Sequence, residues 1–151
     1  MSKSNYGENN LIKYEANAVA MPNYGANLGV SLHTADPGEA GVFTTNACAY
    51  TNYAPTTVAR DAAGLTVCDP DTPFAANASG SAYKNAVQIS FPKSDAAFVG
   101  PEGITHIAIY DIVTGNILRR TQIGSPSPYT LLIGPNATPF FPIGTLIFAE
   151  D

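Results

Sequence analysis

The chain has 151 residues, of which 45% are hydrophobic and only 13% are charged, about half the charged share of a typical globular protein. Its net charge is −5, and its seven Lys and Arg residues include a single adjacent pair, Arg119 and Arg120. This composition excludes a basic patch for nucleic acid or for an anionic membrane surface. No apolar run approaches the length of a membrane span, and the length suits one domain with its own core.

The N-terminus has no apolar signal core, so we expect synthesis in a cytoplasm. In that compartment the two cysteines, Cys48 and Cys68, are expected to be thiols. We predict that both are small buried residues, and a disulfide between them is the alternative.

A helix is predicted near the N-terminus, because residues 8–20 contain neither Gly nor Pro. Ser4 or Asn5 could cap its start. We therefore predict a helical arm over residues 1–20, and we expect it to contact a neighbouring chain, since so short a helix is marginal alone. Folding back on its own sheet is the alternative. The residues that recur at helical spacing are Leu11, Ile12, Glu15, Ala16 and Val19.

Beyond the arm, short runs with strand character alternate with Pro and Gly turns. This spacing predicts an all-β fold, an antiparallel β-sandwich of the jelly-roll type, with one domain over residues 21–151. Residues 70–81, rich in Ala, Asn and Gly, are predicted to form an exposed excursion. The predicted strands are residues 28–34, 45–50, 56–60, 64–68, 86–91, 104–110, 116–123, 129–133 and 145–149.

Residues with catalytic or metal-binding chemistry are few. The two histidines, His33 and His106, lie in predicted strands, and together with Asp36 and Glu39 they match no known zinc or facial-triad spacing. The sequence has no nucleophile elbow, no carboxylate pair in a cleft motif, no phosphate loop and no C-x-x-C pair. We therefore predict no catalytic, cofactor-binding or metal-binding residues and no enzymatic activity.

The aromatic residues comprise eight Tyr, seven Phe and no Trp. Tyrosine is favoured in strands and at interfaces, whereas a sugar-binding cleft would commonly use Trp. Packing and subunit contact are therefore favoured over sugar binding. The tyrosines in or near predicted strands are Tyr50, Tyr53, Tyr83, Tyr110 and Tyr129.

One segment carries a resemblance to a known family. The run Leu32-His-Thr-Ala-Asp-Pro-Gly-Glu-Ala-Gly41 is followed by residues 44–46 (Thr-Thr-Asn), 49–54 (Ala-Tyr-Thr-Asn-Tyr-Ala) and 58–60 (Val-Ala-Arg). This order resembles small bacteriophage virion proteins with an L-x-T-A-D-P-G-E-A-G strand end. The run from Asn85 to Pro92 and the strand at 104–109 also fit. Asn46 and Pro55 depart from the family pattern, which has an acid and an arginine there.

The resemblance implies a structural protein of a bacteriophage particle, made in the host cytoplasm and located in the virion. A capsid cement or decoration subunit is the first expectation, because size and strand pattern suit a jelly-roll cement protein. Its expected partners are the major capsid protein, copies of itself, or both, with no nucleic acid, membrane or cofactor. The alternatives are a tail or fibre component and a host-glycan-binding module.

Overall fold

The computed structural model of the protein describes residues 2–68, 82–124 and 129–149. Within these residues the chain forms helix α1 (Asn5–Asn17) and twelve short strands, and every strand pairing is antiparallel. The strands are β1 Ser2–Lys3, β2 Asn27–His33, β3 Thr56–Ala59, β4 Leu65–Cys68, β5 Ala82–Asn85, β6 Ile89–Ser90, β7 Glu102–Ile104, β8 His106–Tyr110, β9 Ile117–Gln122, β10 Leu131–Ile133, β11 Phe140–Phe141 and β12 Ile147–Ala149.

The predicted all-β class with one N-terminal helix is confirmed, and the finer jelly-roll connectivity stays a prediction. The strands form a five-stranded sheet of order β1-β9-β8-β2-β3, a three-stranded sheet of order β12-β5-β4, and two ribbons, β10-β7 and β11-β6. No helix in the described part of the chain is both long and apolar enough to cross a membrane.

Helix α1 begins where the sequence supplies a cap. The side chain of Ser4 accepts a hydrogen bond from the Gly7 N–H at 3.2 Å, which satisfies one of the free donors of the first turn. The helix ends at Ala18, which adopts the left-handed conformation, and the Val19 N–H then bonds to the Lys13 carbonyl. The segment without Gly and Pro starts at residue 8. The helix begins three residues before it, at Asn5, because Ser4 caps that position.

Strand β2 lies inside the five-stranded sheet and is covered on both faces. One face carries Leu28, Val30 and Leu32, which belong to the main hydrophobic core. On the other face, a Cβ placed on Gly29 would lie 2.1 Å from the ring of Tyr110. Only glycine therefore admits this ring, and the ring extends the packing to the second face of the sheet.

Two predicted strands are wrong in extent. Residues 45–50 form a turn and an irregular segment with one isolated bridge between His33 and Ala47, and two of their backbone groups bond to side chains. Thr45 offers its carbonyl to the His33 ring, and the Ala49 N–H bonds to the Glu102 carboxylate. Of residues 86–91, only Ile89–Ser90 pair as a strand.

The predicted strand over residues 104–110 is interrupted at Thr105, which separates β7 from β8. The Thr105 hydroxyl bonds to the Thr34 carbonyl at 3.0 Å, and its N–H bonds to the His33 carbonyl. These bonds fix the chain where it leaves the small β10-β7 ribbon and enters the main sheet. The predicted excursion over residues 70–81 lies outside the described residues.

Candidate functional site

The turn that follows β2 carries the motif of the resemblance and is fastened to the rest of the sheet. The Asp36 carboxylate accepts the Gly38 N–H at 2.8 Å and forms an ion pair with the Arg120 Nε at 2.6 Å. Burial alone would raise the pKa of Asp36, but these two bonds hold it below its ordinary value. Asn46, one of the two departures, donates from its side chain to the Asp36 carbonyl at 2.9 Å. The motif therefore acts as a structural link between β2 and β9.

The two histidines face each other across β2 and β8 and also make structural bonds. His33 is fully buried, with Nδ1 2.8 Å from the Thr45 carbonyl and Nε2 2.8 Å from the Ser31 hydroxyl. Because a carbonyl can only accept, Nδ1 carries the proton and Nε2 accepts from the serine. Burial lowers the pKa of His33 and of His106 and so favours the neutral form of both rings. In the described residues, no three His, Cys, Asp or Glu side chains are placed to hold a metal ion.

A half-buried carboxylate, that of Glu102, holds the segment after the motif turn in place. Glu102 on β7 accepts the Ala49 N–H at 2.9 Å and the Cys48 thiol at 2.9 Å. Cys48 is buried and free, as predicted, and burial together with the adjacent carboxylate raises its pKa. Its thiol therefore stays protonated and is a poor nucleophile. The side chain of Cys68 lies outside the described part of the structure.

The tyrosines next to this segment pack within the chain. The Tyr50 hydroxyl donates to the Pro92 carbonyl at 2.7 Å, and the Tyr53 oxygen accepts the Leu32 N–H at 2.8 Å. Burial raises the pKa of both phenols. Packing, one of the two predicted uses of these rings, is thus observed for Tyr50 and Tyr53.

An open groove of about 640 Å³ runs between α1 and the β-structure. Its lining is mostly apolar, and two guanidinium groups stack on its aromatic rings. Arg60 lies 6.0 Å from the Tyr24 ring centroid, and Arg119 lies 5.4 Å from that of Tyr83. The groove is lined by Gly7, Leu11, Met21, Tyr24, Leu28, Arg60, Asp61, Ala62, Leu65, Tyr83, Leu118 and Arg119.

The arm is anchored at its beginning and uncovered over its second half. The Ser4 N–H bonds to the Leu118 carbonyl at 3.2 Å, the Ser4 hydroxyl bonds to the Ile117 carbonyl, and the Asn5 N–H bonds to the Glu39 carbonyl at 3.0 Å. No residue of α1 is buried, and residues 12–21 are all exposed. Folding back therefore accounts for the start of the arm, and the contact with a neighbouring chain stays a prediction.

Sequence reasoning did not predict the structural roles of Asn85 and Glu102, two polar residues that tie distant segments together. The partners of Glu102 lie 53 and 54 positions away, and Leu146, which bonds to Asn85, lies 61 positions away. No local spacing of residues in the sequence indicates such contacts. The groove was also missed, because its lining comes from segments scattered between residues 7 and 119.

Comparison with protein families gives a match over almost the whole chain. A family model described as "Podophage GP4 fiber I protein gp80" matches residues 2–148, which is nearly the whole chain. A search of curated proteins found no match.

Proposed function

This chain belongs to the podophage GP4 fiber I protein gp80 family, and on that basis we propose that it is a non-catalytic structural subunit of a virion fibre. Family membership makes it a structural protein of the phage particle and gives its location as the virion. The assignment to a fibre is more specific than a location in the virion. It is supported by a family match that spans the arm and almost all of the β-structure.

A non-catalytic role is supported by the bonding of the reactive side chains. His33 is engaged at both ring nitrogens, and the Cys48 thiol is buried against Glu102. The hydroxyl of Tyr50 is bonded to a carbonyl. Each group that could serve as a nucleophile or base in this region holds two segments of the chain together instead.

An assembly role is supported by the surface. Charged residues make up only 13% of the chain, and several large apolar side chains are well exposed, such as Val99 at 95% and Val113 at 82%. Single exposed apolar side chains are normal on a protein surface, so the low charge is the stronger of these two observations. We infer that other virion proteins or further copies of this chain cover part of this surface.

Capsid cement is the second candidate, because low charge also suits broad lateral contacts between shell subunits. In that role the partner would be the major capsid protein. The family description favours the fibre over the shell, so we rank the cement role second.

Copy number separates the two roles. Purified virions would be resolved by gel electrophoresis, and this protein would be quantified against the major capsid protein as the internal reference. We expect a ratio of a few per cent, since a fibre follows the low rotational symmetry of a tail. A near-stoichiometric ratio would refute the fibre role and favour cement. Labelling with a specific antibody, viewed by electron microscopy, should mark the tail end rather than the shell.

A further inference from the structure

Helix α1 presents one exposed face that no other described part of the chain covers. Glu8, Ile12 and Glu15 are spaced by four and three residues, so they share one side of the helix. Val19 lies two residues beyond the end of the helix, after the left-handed residue Ala18. These four residues are all exposed, Ile12 at 58% and Val19 at 50%. They provide two carboxylates and two apolar side chains, and we call them together the outer face of α1.

The groove described above has the complementary character. Its floor includes Leu28, Leu65 and Leu118, and the guanidinium groups of Arg60 and Arg119 belong to its lining. A cavity of about 640 Å³ lies within the size range of occupied binding sites, roughly 300–1,000 Å³. It would admit apolar side chains into the floor and carboxylates beside the two arginines.

The outer face cannot fill the groove of its own chain. Gly7 and Leu11 of the same helix already line that groove, and these two residues share a different side of α1. Glu8 and Ile12 each follow one residue later, so they point about 100° away around the helix axis. The groove and the outer face are therefore available at the same time on one molecule.

We propose that the outer face of α1 docks into the groove of a second copy of this chain. Ile12 and Val19 lie on the apolar floor of the receiving copy, and Glu15 pairs with its Arg60. This inference rests on the proposed structural role. A second copy of the chain is chosen as the occupant of the groove because the two surfaces are complementary in charge and both contain apolar side chains. Because the two surfaces differ, repeated docking gives a ring where the rotation between copies closes and an open filament where it does not, and reciprocal docking of two copies gives a dimer.

The first test is the oligomeric state of the full chain, measured by sedimentation velocity over a wide concentration range. We expect a concentration-dependent oligomer, and the substitution Ile12→Glu should weaken association about tenfold or more, since it places a charge on an apolar floor. The matched control is Leu132→Glu, which changes a leucine that is 61% exposed and does not line the groove. The control should associate like the unmodified protein.

The second test reverses one ion pair. Glu15→Arg or Arg60→Glu alone should weaken association about two- to fivefold, and the double variant should restore it. Circular dichroism of each variant should match the unmodified protein, because all the substituted side chains are exposed.

Three results would overturn the proposal. They are a monomer at every concentration, equal effects of Ile12→Glu and Leu132→Glu, and no recovery in the double charge reversal. These failures are distinguishable from failure of the fibre role, which is decided by copy number in the virion. A monomeric protein at fibre copy number would reject the docking and leave the proposed function standing.

Discussion

Replacement of Asn85 by alanine should produce a large loss of stability, because this buried side chain joins three segments. Its Nδ2 donates to the carbonyls of Val87 and Pro142, each at 2.8 Å, and its Oδ1 accepts the Leu146 N–H at 2.9 Å. Asn85 is fully buried, and its bond to the Leu146 N–H is buried as well.

The magnitude follows from the groups that lose their partners. The Pro142 carbonyl keeps a bond from the Thr145 hydroxyl at 2.7 Å, and Val87 is exposed, so its carbonyl can bond to water. The buried group that loses its partner is the Leu146 N–H. An unsatisfied buried polar group costs about 1–3 kcal/mol, so the expected loss is about 1–3 kcal/mol. Since total stabilities are about 5–15 kcal/mol, Asn85→Ala should remove a substantial share. The corresponding fall in Tm is about 2–12 °C at about 2–4 °C per kcal/mol.

The assay is urea unfolding followed by circular dichroism, with Gln88→Ala as the matched control. The Gln88 side chain also bonds to a neighbour, the Ser90 hydroxyl at 2.9 Å, but it does so in an exposed position. The control should therefore change the free energy of unfolding by less than about 0.5 kcal/mol. An Asn85→Ala variant as stable as the Gln88→Ala variant would refute the argument that this buried amide holds the loops together.

Three further outcomes are expected. Gly29→Ala should lower the Tm clearly while Gly134→Ala should not, since the new Cβ would meet the Tyr110 ring at 2.1 Å in the first case and open space in the second; equal Tm values would contradict the packing. In a variant lacking the other cysteine, Cys48 should react with a thiol reagent only after unfolding, even at alkaline pH, because burial raises its pKa; prompt labelling of the folded protein would refute this. Burial lowers the pKa of His33 below 6.5, so the unfolded chain takes up that proton first. The stability that the neutral His33 ring contributes is present above about pH 6.5 and is lost as the pH falls through the folded-state pKa. In urea unfolding, the free energy of unfolding of His33→Gln should therefore fall less steeply on acidification than that of the unmodified protein.

Local patterns in the sequence were sufficient for the elements whose bonds are local. The alternation of apolar residues predicted β2 to within one residue at each end, because a strand inside a sheet shows its two faces with a period of two. The predicted strand over residues 116–123 likewise agrees with β9 to within one residue, and the turn that precedes it is held by local bonds. There Asp111 accepts the Val113 N–H and the Thr114 hydroxyl, and Gly115 adopts a φ of +75°.

The family resemblance could likewise be recognised from the sequence, because the motif turn is held by a hydrogen bond between its own residues. The Asp36 carboxylate accepts the Gly38 N–H, and Gly38 has a φ of +77°, which few residues other than glycine adopt. The Asp-Pro-Gly order is therefore informative before any tertiary contact is known.

Tertiary structure alone decided the features that depend on distant partners. Residues 45–50 resemble a strand in composition, yet their backbone groups bond to His33 and Glu102. Thr105 divides one apolar run into two strands because it bonds to the segment that ends β2. Side chains that lie 50 or more positions apart meet only after the sheets have packed, so neither Glu102 nor Asn85 has a local signature.

The candidate site shows the same division. The sequence pointed to an arm with an uncovered apolar stripe, since helical spacing is a local property. The groove beside that arm exists only because Leu28, Leu65 and Leu118 come together with Tyr24 and Tyr83 from separate strands and loops. Its shape and its paired arginines are therefore consequences of packing, which the order of residues along the chain does not reveal.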